Sequence, residues 1–214
     1  MRTEDLIKSL IADASPVRRL PDQNGRRLRW AALASVCVAA GALCWGARPD
    51  LAGKAHDASF LLEAGCLLFL FACAARSAFE LSVPGEERPF SSLWVPPLAF
   101  LPWLTLILYR FFRGWETSAY GLDARPGYLC VWRVLILGGL PALTGFLLLR
   151  KAAPLKTRLA GSYLCLSAFA IAALGARTLC VIDRPGHLLF WHALPLLLLA
   201  LTGSALGPRV LGDR

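Results

Sequence analysis

The sequence predicts an all-α membrane protein, a six-transmembrane-helix bundle preceded by a short cytoplasmic amphipathic helix. Three observations carry this expectation. Six apolar segments lie at 30–47, 60–79, 93–110, 130–149, 159–181 and 188–206. Each is close to the roughly 20 residues a helix needs to cross a hydrocarbon core about 30 Å thick. The joining segments are short, and Lys and Arg collect at alternate connections, as the cytoplasmic side of a membrane protein requires. Composition agrees: 57% of the 214 residues are hydrophobic, 17% are charged and the mean hydropathy is +0.55. A soluble domain is nearer half apolar.

Residues 1–29 form a separate N-terminal unit. RTEDLIKSLIADASPVRRL reads as a short helix and a break. Thr3 suits the N-cap, and Glu4 and Asp5 suit the positive end of the helix dipole. Leu6, Ile7, Leu10 and Ile11 fall on one stripe at helical spacing. Glu4 and Lys8 stand four apart and suit an ion pair. Ser15-Pro16 ends the helix. So short a helix is marginal alone in water. Two readings stay open: an interfacial helix on lipid, or a docking segment for a cytoplasmic protein. No apolar run follows the basic start directly, so no cleavable signal peptide is expected.

The spans follow over 30–208, with a cytoplasmic tail at 209–214. The third carries Pro96, Pro97 and Pro102, which neighbouring helices tolerate in a membrane. In the second, Arg76 and Glu80 are four apart and suit a pair, while Glu63 lies toward the outer end. Arg2, Lys8, Arg18, Arg19, Arg26, Arg27 and Arg29 precede the first span; Arg150, Lys151, Lys156 and Arg158 follow the fourth; Arg209 and Arg214 follow the sixth. All fall on one side if six spans are crossed, which places both termini in the cytoplasm of a bacterial inner membrane. The net charge of +9 then reads as topology and contact with anionic lipid, not as a nucleic-acid interface.

Cys130 opens the fourth span and Cys180 closes the fifth. Antiparallel neighbours put both at one surface, the outer one, where thiols meet oxidising conditions. Arg133 and Arg177 each stand three residues deeper, on the face of the respective cysteine, and a guanidinium favours thiolate. Two such sulfurs point to a chemical sensor, through a disulfide or a thiophilic metal ion. No cofactor is required; a regulatory metal held by Cys130 and Cys180 is the one group the pair suggests. His192 beside the thiols reads as a further ligand, a base, or a satisfied polar residue of the bundle. Trp191 and Trp132 read as interfacial anchors. Cys37, Cys44, Cys66, Cys73 and Cys165 read as packing residues. No phosphate-binding glycine loop, H-E-x-x-H or Ser-His-Asp arrangement is present, so no enzyme is expected. A membrane thiol-disulfide oxidoreductase or a small transporter are the rival readings; the transporter would want polar residues at the midplane, and few are there.

The ordered set TEDLIKSLIADASPVRRL, RPDL at 48–51, LSVPG at 81–85, CVWRVLILGGLPAL, Cys180 with Asp183, FWHALP and GPRVL resembles the NrsF-like bacterial membrane proteins, anti-sigma factors that are negative regulators of extracytoplasmic-function sigma factors. The resemblance implies that the N-terminal segment, with Leu6, Ile7, Leu10, Ile11, Arg18 and Arg19, sequesters a small sigma factor. It implies also that Cys130 and Cys180 perceive a periplasmic heavy-metal or oxidative stress.

Overall fold

The computed structural model describes residues 3–13, 20–85, 90–114 and 124–212, with the backbone alone for 124–126. Arg18 and Arg19 lie outside the described residues. The described elements are helices α1 (Thr3–Ala12), α2 (Gln23–Trp45), α3 (Leu51–Lys54), α4 (Ala58–Glu80), α5 (Ser91–Arg113), α6 (Ala124–Arg150), α7 (Thr157–Arg177) and α8 (Pro185–Leu211). Six of them, all but α1 and α3, are long and apolar enough to cross a membrane. The all-helical six-span expectation is therefore met, and no strand occurs among the described residues.

The first span starts earlier than hydropathy suggests. Asp22 caps α2, its carboxylate accepting from the backbone N–H groups of Asn24 and Gly25 at 3.0 and 3.2 Å. The helix is thus under way seven residues before Trp30, the first residue of the apolar window. Arg26 belongs to it and is buried; its guanidinium donates to the Leu148 carbonyl at 3.4 Å, near the C-terminus of α6, where a cation offsets the helix dipole. Trp30 is fully buried, donates its indole N–H to the Pro141 carbonyl at 2.9 Å, and stacks against Phe71 and Phe79. α5 runs unbroken through Pro96, Pro97 and Pro102.

α7 is the axis of the bundle. It packs against α8, α4, α6 and α2 and is buried along almost its whole length. A helix apolar on every side belongs inside, and its Ala, Gly and Ser residues let neighbours come close, the way spans associate in lipid. The closest approach is to α8. A Cβ at Gly161 would collide with the Gly203 carbonyl, and one at Gly207 with the Thr157 carbonyl. Gly203 and Gly207 stand one turn apart on the facing side of α8. Cys165 fills the same crossing against Gly203. Side-chain hydroxyls tie α7 further: Ser167 donates to the Phe71 carbonyl at 2.8 Å, and Tyr163 to the Leu93 carbonyl. Outward-facing Leu33, Leu62, Phe69, Leu101, Leu143 and Leu201 stay exposed, a surface suited to hydrocarbon.

Six successive spans bring the start of α2 and the end of α8 to one end of the bundle. The connections 46–57 and 178–184 lie together at the other, joined by a hydrogen bond from the Arg48 N–H to the Thr178 carbonyl at 2.9 Å.

Candidate functional site

The sequence-predicted cysteines meet. The Cys130 thiol, in the first turns of α6, donates to the Cys180 sulfur at 3.5 Å, and each residue is only 3% exposed. Cys180 does not close a helix: α7 ends at Arg177, and Thr178–Cys180 fold back over its end. The hydroxyl of Thr178 bonds the Gly175 carbonyl at 2.7 Å, and the N–H of Cys180 bonds the Ala176 carbonyl at 2.9 Å, so these bonds satisfy the last carbonyls of α7.

Two histidines of α8 complete the cluster. His187 Nε2 lies 3.4 Å from the Cys180 sulfur. The His192 ring is fully buried, 5.5 Å from the His187 ring between centroids, and among the described residues neither of its nitrogens has a hydrogen-bond partner, though one lies within 4.8 Å of the Cys180 sulfur. One ligand-type atom from each of Cys130, Cys180, His187 and His192 lies within 4.8 Å of every other, and all four residues are buried. Sequence reasoning missed His187. Five residues separate the histidines, which puts them about 140° apart on an α-helix of 3.6 residues per turn. Here residues Leu189–Ala193 form a π-helical turn, with the Leu194 N–H bonded to the Leu189 carbonyl, and the extra residue brings the two rings onto one face.

Trp191 is half-buried; its indole packs directly over Gly127 of α6, where any Cβ would collide. Trp132 faces outward and is 58% exposed.

The hydrogen bonds of the arginines go elsewhere than to the sulfurs. Arg133 donates to the Leu179 carbonyl at 3.4 Å. Arg177 is buried and pairs with Glu63 of α4 at 2.9 Å and with Asp183 at 2.9 Å. Arg110 stands 3.6 Å from the same Glu63. Asp183 also receives Arg48 at 2.8 Å and Lys54 at 3.0 Å, while Arg48 reaches Asp50 at 2.6 Å and Lys54 reaches Asp57 at 3.0 Å. Arg48 further donates to the Cys180 carbonyl at 2.7 Å. Within this network four cations (Arg48, Lys54, Arg110, Arg177) face four carboxylates (Asp50, Asp57, Glu63, Asp183), so the charges cancel. A cavity of about 150 Å³ lies beside it, lined by Glu63, Arg110, Arg177 and Asp183 among others.

Outside the spans the pairing sets protonation. Burial pushes the Asp183 carboxyl up, but hydrogen bonds from Arg48, Arg177 and Lys54 outweigh it and hold the group well below the usual carboxylate range. Hydrogen bonds to Asp183 and Asp50 hold Arg48 above its ordinary value, and bonds to Asp57 and Asp183 do the same for Lys54.

At the other end of the bundle, Arg76 and Glu80 pair at 2.7 Å as their spacing predicts, and Ser92 donates to Glu80 at 2.7 Å. α1 buries none of its residues: Leu6, Ile7, Leu10 and Ile11 are all exposed, from 41% at Leu6 to 69% at Ile11.

No curated protein and no solved structure matches the chain. The family model NrsF, described as negative regulator of sigma F, matches residues 10–212, nearly the whole length; the protein belongs to that family, a membrane-spanning negative regulator of a sigma factor.

Proposed function

We propose that this protein is an inner-membrane anti-sigma factor that holds an extracytoplasmic-function sigma factor at its cytoplasmic N-terminus. It lets the factor go when Cys130 and Cys180, facing the periplasm, react with a thiophilic metal or an oxidant. The observation that carries the reading is the meeting of these two sulfurs, from different crossings, at the end of the bundle opposite both termini. An oxidant of the peroxide class would take two electrons and two protons from the thiols, leaving an Sγ–Sγ bond and two waters. A metal would take two protons' place instead. Burial of both sulfurs favours small ions and small oxidants over a soluble redox protein, which weighs against the oxidoreductase reading.

The docking surface is the bare stripe of α1. Leu6, Ile7, Leu10 and Ile11 are exposed among the described residues, and an amphipathic helix of this kind seats its apolar face in a groove of its target. Arg18 and Arg19 add charge contacts to the sigma factor or to anionic lipid. Arg26 takes no part, because it is buried against α6.

The route between the two ends is α2. Its outer end is tied to the cysteine loop through Arg48, by the backbone bond to Thr178 and the side-chain bonds to Cys180 and Asp183. Its inner end continues toward α1. A reaction at Cys180 that moves the loop therefore pulls on the helix that leads to the docking segment. For this to switch, the reacted cysteines must favour the releasing state over the binding state.

Pull-down of the sigma factor by the full chain tests the reading. Leu6→Asp with Leu10→Asp should abolish capture while the protein still inserts and folds; undiminished capture by the double variant would remove α1 from the docking role.

A further inference from the structure

The proposed sensor leaves open what the cysteine pair recognises, and the two histidines bear on it. Their positions need a π turn, an arrangement rare in helices and concentrated at functional sites. Among the described residues neither nitrogen of the fully buried His192 imidazole has a hydrogen-bond partner, and such a group carries a desolvation cost that ordinary packing does not offset. A bound cation would remove that cost.

We propose that Cys130, Cys180, His187 and His192 together hold one thiophilic divalent cation of the Zn²⁺ or Cd²⁺ class; this rests on the sensor reading above and names its ligand. The distances fit. With metal–sulfur bonds of about 2.3 Å and metal–nitrogen bonds of about 2.0 Å, a tetrahedron has edges of about 3.8 Å between sulfurs and about 3.6 Å between sulfur and nitrogen. The observed separations are 3.5 Å from sulfur to sulfur and 3.4 Å from the Cys180 sulfur to His187. A disulfide would need the sulfurs at about 2.0 Å. The charge fits as well. Two thiolates cancel a divalent cation, so the filled site is neutral, as a buried site requires. Of the two neighbouring arginines, Arg177 is neutralised by Glu63 and Asp183, and Arg133 turns its guanidinium to the Leu179 carbonyl. Two sulfurs and two imidazoles in a closed tetrahedron match Zn²⁺ and its softer congener, and disfavour Mg²⁺ and Ca²⁺, which take oxygen ligands. On binding, each thiol gives up its proton to solvent and no redox step is needed.

The full chain, reduced and held anaerobically in detergent, is titrated with Cd²⁺, following the ultraviolet thiolate-to-cadmium charge-transfer band and proton release. One tightly bound Cd²⁺ per chain is expected, with about two protons released. The band should vanish in Cys130→Ser/Cys180→Ser, which leaves the other five cysteines in place. In His187→Ala/His192→Ala and in the milder His192→Gln, affinity should fall at least roughly 100-fold, because losing even a group that only orients a metal ligand costs about 10–100-fold. Unchanged affinity in His192→Gln, at an unaltered melting temperature, would overturn the four-ligand site and leave at most Cys130, Cys180 and His187 as ligands. Failure of the folded parent chain to take up Cd²⁺ would overturn it outright. The first result leaves the regulatory reading untouched; the second removes its metal arm and leaves the oxidant arm, which is decided separately in cells by the cysteine variants.

Discussion

At the scale of single residues, the region around Cys180 is held by charge. Asp183 accepts from Arg48, Arg177 and Lys54, and those bonds keep its carboxyl ionised to unusually low pH. The consequence has a definite sign. A carboxyl whose folded value lies below its unfolded value near 4 stabilises the fold fully above that value and loses the contribution as pH falls through the folded one. Mild acidification to about pH 5 should therefore leave the 178–184 loop in place, and loosening should appear only below about pH 4. Hydrogen exchange of the amides of that loop checks this; protection lost already between pH 6 and 5 would contradict it. The cysteine pair was legible in the sequence because span parity needs only hydropathy. Arg177's partner was not, because Glu63 lies 114 positions away and helical spacing speaks only of local neighbours. His187 was hidden for another reason: a π turn leaves no periodic signal, and five-residue spacing on an α-helix argues against a shared face.

At the scale of elements, two helices do most to position the site. α2 connects the ends, and Arg48 is its outer tie. Arg48→Ala removes the side-chain bonds to Asp183 and to the Cys180 carbonyl but leaves Asp183 paired with Arg177 and Lys54. The response of a sigma-dependent reporter to metal should then weaken several-fold while repression without metal persists; an unaltered response would take Arg48 out of the route. α7 is the packing axis, and its crossing with α8 depends on Gly161, Gly203 and Gly207. Gly203→Leu inserts a branched side chain against a backbone carbonyl and Cys165. Overpacking alone costs about 1–3 kcal/mol, so a lowered melting temperature in detergent is expected, together with weakened metal response, since α8 carries both histidines. An unchanged melting temperature would show that the crossing is looser than described. The apolar spans were legible to within a few residues at most ends. The start of α2 was not, because its first turns are polar and only Asp22, an N-cap of ordinary type, announces them.

At the scale of the whole molecule, the bundle separates two chemistries. One end gathers two sulfurs, two imidazoles and a network of four cations and four carboxylates; the opposite end is where α2, the span that follows α1 in the chain, begins, and the apolar stripe of α1 is exposed. That polarity is what a regulator reading one compartment and acting in another requires, and it accords with the family to which the chain belongs. Sequence alone predicted the polarity, since basic residues mark one side and span parity places the cysteines at the other. It did not predict the network in which Arg48, Lys54, Arg110 and Arg177 face Asp50, Asp57, Glu63 and Asp183, because these partners come from four different segments of the chain.

The most direct test is transcription from a sigma-dependent promoter in cells carrying either the parent chain or Cys130→Ser/Cys180→Ser, before and after a sublethal dose of Cd²⁺. The account predicts that both chains repress equally beforehand and that only the parent releases the promoter afterwards. A double variant that represses normally and is still induced to the parent's level would contradict it.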